Sequence, residues 1–103
     1  MKISSKIAIV TGASSGLGAA ISNVLIKNGA TVYGVSRSED KLHDLAKKLG
    51  EGFISSPLDV SDSAAVKTWM SKTFFVNHSP DILINNAGVG SFAPIDETGY
   101  DAW

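Results

Sequence analysis

The chain is 103 residues long, with nine Lys and Arg against ten Asp and Glu, a formal charge of -1 and 44% hydrophobic residues. That length holds one small domain, the hydrophobic fraction excludes a disordered chain, and the balanced charge excludes a global field that would draw the protein onto nucleic acid or anionic lipid. The absence of cysteine excludes disulfides, thiolate metal sites and a cysteine nucleophile and makes the cytoplasm the expected location, while the apolar run near the amino terminus is far short of the ~20 residues a membrane span needs.

Ile7-Ala8-Ile9-Val10, ended by Thr11-Gly12, predicts a strand buried on both faces, as in a parallel sheet. Leu17, Ala20, Ile21, Val24 and Leu25 then recur at helical spacing, and Asn28-Gly29 stops a helix over roughly 15–28. Residues 30–35 predict a second strand. Ser36-x-x-Glu39 has the form of a capping box for a second helix carrying Leu42, Leu45, Ala46 and Leu49, which Gly50 closes. A third strand is expected from Phe53 to about Leu58, with Pro57 marking a sheet edge or strand end. Ser61 is the expected cap of a third helix carrying Ala65, Val66, Trp69, Met70, Thr73 and Phe74, broken by Asn77-His78-Ser79-Pro80. Asp81-Ile82-Leu83-Ile84 gives a fourth strand, and residues 89–103 read as a loop. The alternation predicts an α/β domain, a doubly wound parallel sheet with helices on both faces.

Thr11-Gly12-Ala13-Ser14-Ser15-Gly16-Leu17-Gly18 lies where the first strand meets the first helix. In a doubly wound sheet, helix-terminal amides and a partial positive charge receive a pyrophosphate there. Gly12 is expected to make the tight turn, Gly16 to open the way for the ligand and Gly18 to let helix and strand approach, while Ser14 and Ser15 offer hydroxyl donors. No lysine follows the glycines, so this is not the phosphate-binding loop of a kinase or ATPase. Taken alone, Asp59 could be only the start of a turn, and Asn85-Asn86 only a polar strand end.

Together, Thr11-Gly12-x-x-x-Gly16-x-Gly18, Leu58-Asp59-Val60-Ser61-Asp62 and Asn85-Asn86-Ala87-Gly88 resemble the short-chain dehydrogenase/reductase family in its compact single-domain branch. The resemblance implies a Rossmann-type sheet of order 3-2-1-4 up to the fourth strand. It also implies hydride transfer between a nicotinamide and a carbonyl or alcohol. Residues Gly12, Ser14, Ser15, Gly16, Leu17 and Gly18 would bind the pyrophosphate and adenosine ribose. Asp59 and Val60 would border the adenine, Asn86, Ala87 and Gly88 would line the cofactor groove, and Asn85 would brace the sheet.

Where an NAD-binding domain usually places a carboxylate at the end of its second strand, this sequence has Ser36 followed by Arg37. A guanidinium can meet a 2'-phosphate bidentately and a neutral neighbour removes repulsion, so NADP(H) is expected over NAD(H).

The family's acid/base tyrosine and its lysine form Tyr-x-x-x-Lys, which has no match here: Tyr33 is followed four places on by Arg37, and Tyr100 stands too close to the end. The expectation is the cofactor-binding portion of an oxidoreductase, with no catalytic residue in this chain and no turnover by it alone. The alternative is a non-catalytic NADP(H)-binding or assembly protein. His43 and His78 are expected on the surface, with no metal site. The fourth strand would be an apolar sheet edge, so a homo-oligomer is expected through it or through the third helix around Trp69 and Phe74.

Overall fold

A computed structural model describes residues 3–86. Four parallel strands form one sheet, β1 (Ile7–Thr11), β2 (Thr31–Ser36), β3 (Phe53–Pro57) and β4 (Ile82–Asn85), in the order β3-β2-β1-β4. Between them run α1 (Gly16–Lys27), α2 (Glu39–Leu49) and α3 (Ser63–Thr73). The sheet order and fold class are those expected from the sequence.

Strand periodicity splits the interior in two, because successive side chains point to opposite faces. Ala8, Val10, Val32 and Phe53 meet Leu25 of α1 and the fully buried Leu42 of α2, with Ile82 and Ile84 of β4 against the same cluster. Ile9, Tyr33 and Val35 face the other way and pack with Phe74, Trp69 and Met70 from α3 and its end. The register sets Ile9 beside both Tyr33 and Leu83. Ile9 and Tyr33 are buried, but Leu83 is 49% exposed, since among the described residues β4 pairs only with β1.

Two helix starts differ from expectation. The second strand continues through Ser36 because Ser36 pairs with Pro57, and its carbonyl accepts from the Leu58 N–H at 2.9 Å. Ser36 therefore cannot cap α2. Ser38 is the N-cap and makes no side-chain cap bond, and Glu39 and Asp40 at the first turn with Lys47 and Lys48 at the last complement the helix dipole instead. For α3 the cap is Asp62, whose carboxylate accepts from the Ala65 N–H at 3.1 Å. Ser61 is unavailable, because its hydroxyl donates to Asp59 at 2.6 Å.

The aromatic residues of α3 also differ from expectation. Phe74 is buried and Trp69 is partly buried, each making an edge-on contact with Tyr33 at ring centroid separations of 5.1 and 6.2 Å. His78 is not a plain surface histidine: its Nε2 lies 2.9 Å from the Tyr33 hydroxyl and its ring stacks on Phe74. These residues seal one face of the sheet, so Trp69 and Phe74 are not an exposed docking face. Directly after Phe74, Phe75 and Val76 are exposed.

Candidate functional site

The turn after β1 is built as its glycines require. Gly12 adopts φ 62°, a left-handed conformation that strains any residue with a Cβ. Gly18 lies in the first turn of α1 directly against that turn: a Cβ there would collide with the Gly12 carbonyl oxygen and approach Ala13 Cα to 2.9 Å. A Cβ at Gly16 would instead meet nothing within 4 Å, so this position opens outward.

Ser15 is occupied structurally. It is the N-cap of α1, its hydroxyl donates to the Gly12 carbonyl at 2.8 Å, and its oxygen accepts from the Gly18 N–H at 3.1 Å. Its hydroxyl proton is therefore committed, which leaves the amides of Gly16 and Leu17 at a helix end where backbone donors lack intrahelical acceptors. The Leu17 side chain is exposed. Ser14 reaches across to β2, its Oγ 2.7 Å from that of Ser36, which also accepts from the Ser38 N–H.

A hydrogen-bonded brace ties the end of β4 to the same turn. The buried Thr11 hydroxyl lies 3.0 Å from Asn85 Oδ1 and accepts from the Asn86 N–H at 2.9 Å. The Asn86 side-chain amide donates to the Gly12 carbonyl at 3.2 Å and to Ser15 Oγ at 2.9 Å. Asn86 is 8% exposed, so its side chain supports the wall of the turn from behind. Ala87 and Gly88 lie outside the described residues.

Beside this turn a groove of about 380 Å³ runs over the carboxyl ends of β1, β2 and β3, lined by Gly12, Val35, Ser36, Arg37, Leu58, Asp59, Val60 and Ser61. It joins Gly12, Ser36, Arg37, Asp59 and Val60, residues from three separate motifs. Asp59 accepts from both the Ser61 hydroxyl and the Ser61 N–H, the latter at 3.0 Å. These bonds, the hydroxyl first, hold its carboxyl below the ordinary value of 3.8; slight desolvation opposes them, and the Arg37 charge assists.

Sequence reasoning gave Thr11 no role, although it precedes the glycine turn and is the hub of the brace. It also missed Ser61 as the partner of Asp59, which the Asp-x-Ser spacing of an Asx turn signals. Among the described residues, no group of three or more His, Asp or Glu gathers as a metal site, and no helix is long and apolar enough to cross a membrane.

The groove suits a nucleotide bearing phosphates. Gly12 of the glycine turn lines it together with the Ser36 and Ser61 side chains and the Arg37 guanidinium. Comparison with known proteins agrees with this chemistry. The model of the short chain dehydrogenase family matches residues 6–103. An uncharacterized oxidoreductase of Staphylococcus haemolyticus is 38% identical over 103 residues, covering 99% of this chain and 45% of the relative. A short chain dehydrogenase from Bacillus anthracis superposes with a TM-score of 0.75 at 26% identity, over 82% of this chain and 35% of the other. A serine dehydrogenase in its closed form, complexed with NADP+, superposes with a TM-score of 0.67 at 31% identity, over 75% of this chain and 31% of the other. The chain thus spans less than half the length of these proteins.

Proposed function

The chain belongs to the short chain dehydrogenase family, and on that premise we propose that it is the NADP(H)-binding portion of an oxidoreductase acting on a carbonyl or alcohol. The bound nicotinamide would supply or accept the hydride. The residues of this chain bind and orient it. The α1 amino terminus and the glycine turn take the pyrophosphate, Asp59 and Val60 border the adenine, and Asn86, through Gly12 and Ser15, keeps the turn in shape.

The observation that carries the preference for NADP(H) is the end of β2. Ser36 and Arg37 line the groove where a carboxylate would repel a 2'-phosphate, and the Ser14 and Ser36 hydroxyls stand together beside them. The NADP+ held by the similar serine dehydrogenase supports the same reading. Calorimetric titration of the chain with NADPH and NADH tests it. NADPH is expected to bind about tenfold or more tightly, as a charge-assisted contact implies, and Arg37→Ala is expected to abolish the difference. Equal affinities in the native chain overturn the preference.

Two further readings belong to this proposal. A cytoplasmic location is supported by a sequence without cysteine. Self-association is assigned to the β4 edge, where Leu83 is half exposed and the backbone pairs on one side only among the described residues.

A further inference from the structure

The groove carries two charges of opposite sign on the segments that leave β2 and β3. The Leu58 N–H donates to the Ser36 carbonyl at 2.9 Å. Arg37 and Asp59 stand just past the paired ends of β2 and β3, whose last partners are Ser36 and Pro57, and the Arg37 charge reaches the Asp59 carboxylate. Both line the groove, and among its described lining residues they are the two that are charged at neutral pH. Asp59 is held in place by the Ser61 N–H and hydroxyl, both of which bond to its ionised form. An anion arriving at Arg37 therefore meets a guanidinium whose field is already partly answered.

We propose that Asp59 is a specificity-determining residue that, as the counter-charge to Arg37, weakens the groove's preference for a nucleotide phosphorylated at the 2'-position. The inference rests on the reading of the groove as an NADP(H) site. It assigns Asp59 an action on the phosphate that is separate from any contact with the base. For a dianionic phosphate held in the same groove, removing one negative charge strengthens binding about fivefold at low ionic strength. A nucleotide with no phosphate at that position does not gain.

The test is titration of the chain with 2',5'-ADP and 5'-AMP, because contacts to adenine and to the 5'-phosphate cancel in the ratio of the two affinities. Asp59→Asn keeps an oxygen to accept from the Ser61 N–H, and Asp59→Ser provides a second acceptor at the same place should the first variant fold poorly. The ratio favouring 2',5'-ADP is expected to rise about fivefold in either variant. A similar rise is expected when Arg37→Ala is already present, since the repulsion between Asp59 and the phosphate adds to the attraction of the guanidinium and does not act through it. A ratio equal to the native one in a folded variant overturns the inference while leaving the cofactor reading intact. A native chain that does not distinguish the two nucleotides overturns the cofactor preference, and the inference then stands or falls on whether the Asp59 variants acquire one. No saturable binding of either nucleotide overturns both.

Discussion

At the residue scale, the glycine turn and the Asp59 turn make different demands. Gly18 is set by contact: with no room for a Cβ against the Gly12 carbonyl, Gly18→Ala is expected to cost about 1–3 kcal/mol through overpacking. The melting temperature should fall by several degrees, and dinucleotide affinity should fall with it, because the same shift moves the phosphate-facing amides. Asp59 is set by hydrogen bonding. Its carboxyl titrates below 3.8 in the folded chain, so its contribution to stability is fully present above that pH and is lost as pH falls through the lower, folded value. Ser61→Ala is expected to move the Asp59 titration, followed by carboxyl-carbon NMR, up towards 3.8. Denaturant midpoints of native and variant chains should differ near neutrality and converge in acid.

At the element scale, the brace between β1 and β4 does what backbone pairing alone does not, since it joins a strand end to a loop. Thr11→Val keeps the shape and removes the hydroxyl, leaving the Asn86 N–H without the acceptor it has in the native chain. The expected cost is about 1–3 kcal/mol, with amide hydrogen exchange quickening first in β4. Much at this scale was legible in the sequence. The branched apolar runs gave β1 and β2 because those strands are buried on both faces, and Leu42, Leu45 and Leu49 gave α2 because one stripe of that helix meets the sheet. The helix starts were not legible to the residue. Ser36 and Ser61 both have the chemistry of caps, but Ser36 is claimed by the tertiary partners Ser14 and the β3 end, and Ser61 by Asp59 two residues before it. His78, like Ser36, was not legible because its partner is distant in sequence: Tyr33 lies 45 positions away.

At the scale of the whole molecule, the two faces of the sheet are finished to different degrees. Over β1 and β2 both faces are closed by helices. Over β4, Ile82 and Ile84 are partly buried against the α1 and α2 face, whereas Leu83 on the other side is 49% exposed. A lysine at that position places a charge on the edge where a second strand would add, the usual device against edge pairing. Leu83→Lys is therefore expected to shift sedimentation of the chain from dimer or higher species towards monomer. A native chain that already sediments as a single monomeric species contradicts the assignment of the β4 edge.

The Thr11–Asn86 brace spans 75 positions, which gives the groove a history as well as a shape. During synthesis the glycine turn emerges well before the side chains that prop it from behind, which arrive only after four strands and three helices have been made. Contacts of such long separation are closed late. A nascent chain released before residue 86 would carry the whole glycine motif and still lack the wall that holds it ready for a nucleotide.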